Sequence, residues 1–189
     1  MTADARGVET SAGPAHHLMI AGTGRSGTSL LVRFLAGMGL QTHLATSGDE
    51  QWDEVANAGL EDIPIPAAAG QLPYVIKTPL LSELINDVLG NPAIAIDAVI
   101  LPVRDLVEVA ASRTVLEMQA LHQQQPWMAT LDHMVETWGM TPGGTMYSLN
   151  PVDQGRLLAV GFHHLIERLT KADVPILFLD FPRLAEDPA

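Results

Sequence analysis

Apolar residues along this chain fall into short unbroken runs that alternate with stretches in which they recur every three or four positions. The runs are Leu18-Met19-Ile20-Ala21, Tyr74-Val75-Ile76, Ala98-Val99-Ile100-Leu101-Pro102-Val103 and Pro175-Ile176-Leu177-Phe178-Leu179. Unbroken runs of this length predict strands buried on both faces, and the periodic stretches predict amphipathic helices. Helical spacing is found from Thr28 onward (Leu30, Leu31, Phe34, Leu35), in residues 80–89, from Leu106 to Leu121 (Val107, Ala110, Ala111, Val115, Met118), from Trp127 to Trp138 and from Val152 to Ala172. Alternation of this kind predicts an α/β fold, a parallel β-sheet flanked by helices on both faces. Pro102 cannot donate to a ladder, so it marks a strand end or a bulge. Residues 41–72 are polar and rich in Gly, Asp, Glu and Pro, with one short helix expected around residues 51–58. A connection this long suggests a functional loop. With no internal repeat and no linker, the chain reads as a small-residue disordered tail, 1–16, followed by a single domain, 17–189.

The first strand breaks into Gly22-Thr23-Gly24-Arg25-Ser26-Gly27-Thr28-Ser29 and then into a helix. A strand, a glycine turn and a helix N-terminus together form an anion cradle: loop amides and the positive end of the helix dipole point at one place. A Walker A loop, GxxxxGK[ST], carries a lysine that reaches the outer phosphates. Here Gly22, Gly27 and Ser29 keep the outline, Thr28 stands in the lysine position, and Arg25 is the cation. That exchange argues against an ordinary ATP or GTP enzyme. A second basic element, Val103-Arg104-Asp105 through Ser112-Arg113, follows the third strand. It places Arg104 at a strand's C-terminal end, where ligands of open α/β sheets bind. Ser112 lies about 12 Å further along if the segment is wholly helical, so the two can meet one phosphate only if the chain first turns. The plainer alternative is a helix with a basic start and a solvated Arg113.

The formal net charge is −12, with only ten Lys and Arg. Such a surface repels nucleic acid and anionic lipid, so a bound anion needs a local cluster of cations. The absence of cysteine excludes disulfides, thiolate catalysis and cysteine-ligated metals. No histidine pair has metal-binding spacing: His163 and His164 fall on different faces of one helix, and His16 and His17 fall at the tail. No metal site is expected, and no run is long enough to span a membrane. Without a secretory-type leader the default location is cytoplasmic.

The loop GTGRSGTSLL resembles the 5′-phosphosulfate loop of the P-loop sulfotransferases. VRDLVEVAASR resembles their 3′-phosphate element, YVIKTPLL is similar to the strand and lysine between the two, and LFLDFPRLAEDP resembles a later strand and acidic turn. The order and spacing agree, patchily, over residues 17–189. The resemblance implies a P-loop-type sheet and a co-substrate, 3′-phosphoadenosine 5′-phosphosulfate. It implies that Gly24, Arg25, Ser26, Gly27, Thr28 and Ser29 hold the 5′ end, and that Arg104 and Ser112 hold the 3′-phosphate. Lys77 would lie near the transferred sulfuryl group, whose acceptor is a hydroxyl or amine of a small molecule or carbohydrate.

Two departures stand out. Many members carry a histidine base where this chain has Pro79, so the base must come from the acidic loop, from Asp49, Glu50, Glu61, Asp62 or His43. Glu61 is preferred, because burial among apolar neighbours raises a carboxyl pKa. Cytosolic members also continue into a basic cofactor segment and a terminal helix, whereas this sequence stops at Ala189; it reads as a short member or a fragment. Asp180 imitates a Walker B aspartate but is expected to cap a helix. Trp52, Trp127 and Trp138 are expected in the core or on the walls of the acceptor pocket, with the core preferred. The alternatives are an atypical P-loop kinase or nucleotide hydrolase and a catalytically inactive nucleotide-binding protein.

Overall fold

The first three apolar runs become strands with side chains buried on the faces of one sheet, whereas the fourth, expected to be buried on both faces, forms an edge strand with Leu177 and Phe178 half exposed. The computed structural model describes residues 13–47, 52–54, 56–64, 72–124 and 141–186. The strands are β1 (Ala15–Ile20), β2 (Val75–Lys77), β3 (Ile94–Val103) and β4 (Ile176–Asp180). All pair in parallel, in the order β2-β1-β3-β4. Among the described residues six helices accompany them: α1 (Thr28–Gly37), α2 (His43–Ser47), α3 (Leu81–Gly90), α4 (Leu106–Gln124), α5 (Pro151–Lys171) and α6 (Phe181–Glu186). On one face Met19, Ile76, Val99 and Leu101 pack with Leu81, Ile85 and Val88 of α3 and with Leu165 and Leu169 of α5. On the other, Ile20, Val75 and Ile100 pack with Leu31 and Val32 of α1 and with Leu44 of α2 and Leu184 of α6. The expected α/β architecture, with helices on both faces of a parallel sheet, is therefore the observed one.

The chain leaves β1 toward β2 and leaves β3 toward β4, in opposite directions along the sheet. The loops after β1 and β3 thus part from each other, and between them opens the crevice in which such sheets take ligands. Pro102 lies inside β3, yet no ladder bond is lost. Pairing with β1 ends at Ile20–Ile100, and Pro102 has the same parity as Ile100, whose carbonyl faces β1.

Several expectations need correction. His16 belongs to β1 and not to a tail: its Nδ1 lies 2.6 Å from Asp97 Oδ1, while His17 is buried with Nδ1 2.8 Å from the Pro73 carbonyl. No helix forms at 52–54 and 56–58. Asp53 Oδ1 accepts the Ala56 N–H at 2.7 Å, and an Asp53–Ala58 bridge closes the turn. A short acidic side chain that bonds the backbone ahead of it competes with a helix in this way. Helix α4 departs in part from its apolar pattern: Val107, Val115 and Met118 are exposed and Ala110 is buried, while Arg113, Thr114 and Glu117 are buried along with Val109 and Leu116. Asp180 does cap α6, accepting the Arg183 N–H at 3.4 Å. The helix expected from Trp127 to Trp138 and the residues before Gly13 lie outside the described residues.

Candidate functional site

The glycine loop after β1 is forced into its shape at two glycines. Gly27 has φ +87°, and a Cβ there would stand 1.9 Å from the Phe181 ring. Gly24 has φ +71°, and its Cβ would meet the Gly143 carbonyl at 2.4 Å. Arg25 between them adopts φ +48°, and Asn57 and Leu60 also have positive φ. Left-handed backbone at non-glycine residues costs roughly 1–3 kcal/mol each and gathers at functional sites.

Helix α1 starts directly from this loop. Gly27 provides no side-chain cap and the first turn holds no acid, so the leading N–H groups have no partner within the helix. Lys77, from the end of β2, reaches the same point. Its Nζ donates to Ser29 Oγ at 3.0 Å, to the Gly59 carbonyl at 2.6 Å and to Glu61 Oε1 at 3.3 Å. Only 1% of its side chain is exposed. Burial pushes the Lys77 ammonium below its usual pKa, and Glu61 counteracts part of that. The adjacent strand therefore delivers an ammonium to the helix N-terminus where the loop itself offers Thr28.

Two arginines complete the cluster. Arg25 Nε donates to Ser112 Oγ at 3.2 Å and Nη1 to the Ala56 carbonyl. Among the described residues no carboxylate lies within ion-pair distance of Arg25. Burial lowers its pKa, and the neighbouring Arg104 guanidinium lowers it further. Arg104 Nη1 reaches the Arg25 carbonyl at 3.4 Å, while Nε and Nη2 hold Glu108 Oε2. That ion pair is 33% and 61% exposed, and an exposed pair is weak enough for a ligand anion to displace.

These groups border a cleft of about 230 Å³, lined by Arg25, Thr28, Ser29, Lys77, Arg104 and Trp52 among others. Of the residues singled out from sequence, Gly27 also lines it. Four others are placed differently. Gly24 lies under the Thr141–Gly144 turn. The Ser26 hydroxyl is wholly buried, without a hydrogen-bond partner among the described residues, so it is not turned to the cleft as a donor. Ser112 holds Arg25, so it and Arg104 approach the same arginine and not each other. Glu61 lies behind the wall, with Oε1 taking both Lys77 Nζ and the Gly143 N–H at 3.0 Å. Burial raises the pKa of the neighbouring Asp62, whose Oδ2 accepts the Lys77 backbone N–H and whose Oδ1 lies 3.5 Å from His43 Nδ1.

Sequence reasoning missed Arg33, Asn57, Gly143 and Phe181, all on the cleft wall. Arg33 stacks over Trp52 with its guanidinium carbon 3.9 Å from the ring centre, so Trp52 is a wall as well as a packing residue. Arg113 is not solvated but buried. The pair of glycines after Pro142 was the one visible signal for the turn that covers the loop.

Among the described residues no helix is long and apolar enough to cross a membrane. No protein-family model, no curated protein and no solved structure matches the chain.

Proposed function

We propose that the protein is a P-loop-type sulfotransferase that moves a sulfuryl group from 3′-phosphoadenosine 5′-phosphosulfate to a hydroxyl or amine of a small-molecule or carbohydrate acceptor. The supporting observation is the gathering of Arg25, Lys77, Arg104 and an uncapped helix N-terminus on one cleft of a protein whose net charge is −12. A helix N-terminus without a side-chain cap and a guanidinium with no carboxylate partner among the described residues fit an anionic donor and fit no neutral ligand comparably. The bound donor supplies an activated sulfur–oxygen bond, which breaks as the acceptor atom bonds to sulfur and leaves adenosine 3′,5′-bisphosphate.

The chain's own residues have these roles. The α1 amides, Thr28 and Ser29 orient the 5′ end. Arg25 and Lys77 face the oxygen on which negative charge grows, and fixed cations in a partly desolvated cleft stabilise that charge without reorganising. Arg104 exchanges Glu108 for the 3′-phosphate, and Ser112 holds Arg25 in place. Glu61, set behind the cleft wall, orients Lys77 through Oε1, and the acceptor proton leaves to solvent.

Calorimetry and transfer of labelled sulfate test this. Adenosine 3′,5′-bisphosphate should bind without magnesium, and Arg25→Ala should weaken it by about a hundredfold. Tight ATP–magnesium binding with none of the bisphosphate would sink the proposal. Lys77 at the helix N-terminus favours that second reading, a nucleoside triphosphate enzyme whose lysine comes from the next strand. Bisphosphate binding with no transfer to phenols, sugars or amines would indicate an inactive binding protein.

A further inference from the structure

The bulkiest wholly buried side chain among the described residues is Arg113, which does not line the cleft. It lies on α4, paired with Glu117 at 3.1 Å, each 1% exposed. Its guanidinium also holds one short turn: Nε donates to the Gly144 carbonyl at 3.1 Å, Nη1 to Thr141 Oγ1 at 2.7 Å and Nη2 to the Thr141 carbonyl at 3.0 Å. Thr141 Oγ1 in turn donates to Glu117 Oε2 at 3.2 Å. A buried ion pair is seldom more stabilising than an apolar pair of the same volume. What a planar guanidinium fork does supply is a fixed direction for each bond it makes.

The turn held this way rests on both arms of the cleft. A Cβ at Gly144 would lie 3.0 Å from the Thr23 carbonyl, and one at Gly143 would lie 3.1 Å from Arg25 Cδ. On the other side the Gly143 N–H reaches Glu61 Oε1, the oxygen that also holds Lys77 Nζ. One turn therefore touches the loop cation directly and the strand cation through one carboxylate.

We propose that Arg113 and Glu117 are a positioning pair: through the Thr141–Gly144 turn they set the spacing between Arg25 and Lys77. This rests on the cleft being an anion site and not on which anion it takes. Neither residue touches the ligand.

The test pairs ligand-free hydrogen exchange with calorimetry, using pyrophosphate and adenosine 3′,5′-bisphosphate as probes. Arg113→Lys keeps the charge beside Glu117 and loses the fork. It should speed exchange of amides 22–30 by about tenfold, leave β1 and β3 within about twofold, and weaken both probes by about tenfold. Thr141→Val keeps the shape, removes the bridging hydroxyl, and should act in the same direction by about threefold even where the lysine variant folds poorly. A uniform rise in exchange across loop and strands would assign the pair a merely structural role and overturn the proposal. So would loop exchange and affinities left unchanged in both variants. Binding of neither probe to the wild-type protein overturns the anion site itself. That failure is distinguishable, because the exchange contrast is measured without ligand.

Discussion

Helices α1 and α5 cover opposite faces of the same sheet, and their first turns are built in opposite ways. Asn150 caps α5, its Oδ1 accepting the Val152 N–H at 2.9 Å; Pro151 opens the helix, Asp153 sits in the first turn, and Arg168 and Lys171 sit in the last. Each of these suits the helix dipole or a stray backbone group. Helix α1 has none of them: its N-cap is a left-handed glycine without a side chain, and neither end carries a compensating charge. One helix satisfies its own terminus. The other leaves N–H groups and positive potential to be met from outside, with Arg25 adding a charge that no carboxylate among the described residues pairs. The contrast teaches that a missing cap beside a cation cluster points to a ligand, where elsewhere it would only weaken a helix.

Four measurements would break or sharpen this contrast. The largest effect should come from Gly27→Ala, which places a methyl group against Phe181 in left-handed backbone. We expect it to cost about 3 kcal/mol in chemical denaturation, and a cost below about 1 kcal/mol would remove the claim that the loop geometry is enforced. Next, Leu30→Glu puts a carboxylate in the first turn of α1 at an exposed position on the cleft wall. The ligand-free protein should gain a few tenths of a kcal/mol while bisphosphate affinity drops about tenfold, so stability and binding move apart. A parallel loss of both would contradict an N-terminus left open for an anion.

The mirror experiment is Asn150→Ala in α5. Stability should fall by about 1 kcal/mol with affinity unchanged, and altered affinity would mean that the two termini are not independent. The smallest effect concerns pH. Because burial holds the Lys77 pKa below its usual 10.5, the site loses a positive charge as pH rises toward that value. Bisphosphate affinity should therefore decline by a few fold at alkaline pH, and Lys77→Met should flatten the profile. A wild-type profile that is flat up to pH 10.5 would place Lys77 outside the site.

Much of the fold was legible beforehand because its signals are local. The runs around Ile20, Ile76 and Leu101 had no alternative to burial, the run around Leu177 became a half-exposed edge strand, and Gly22, Gly24 and Gly27 marked a backbone that other residues resist. The candidate loop was legible for the same reason. The failures share a cause as well. Asp53 diverted a helical pattern through one side-chain bond, and α4 exposes Val107, Val115 and Met118 of its apolar stripe while burying Arg113 and Glu117, whose partners lie in a distant turn.

The sequence by itself determined a strand, a left-handed glycine loop and an open helix N-terminus, since these follow from side-chain pattern and backbone sterics within a dozen or so neighbouring residues. It also determined that any anion must be held against an acidic background. Only the tertiary structure decided which cations meet there. Lys77 reaches Ser29 because β2 pairs beside β1, Arg104 reaches Arg25 because β3 pairs on the other side, and Arg113 is buried because the Thr141–Gly144 turn folds back over the loop. These contacts join residues far apart in the chain. Their energies arise from burial and from partners that no local pattern specifies, so they exist only once the sheet has closed.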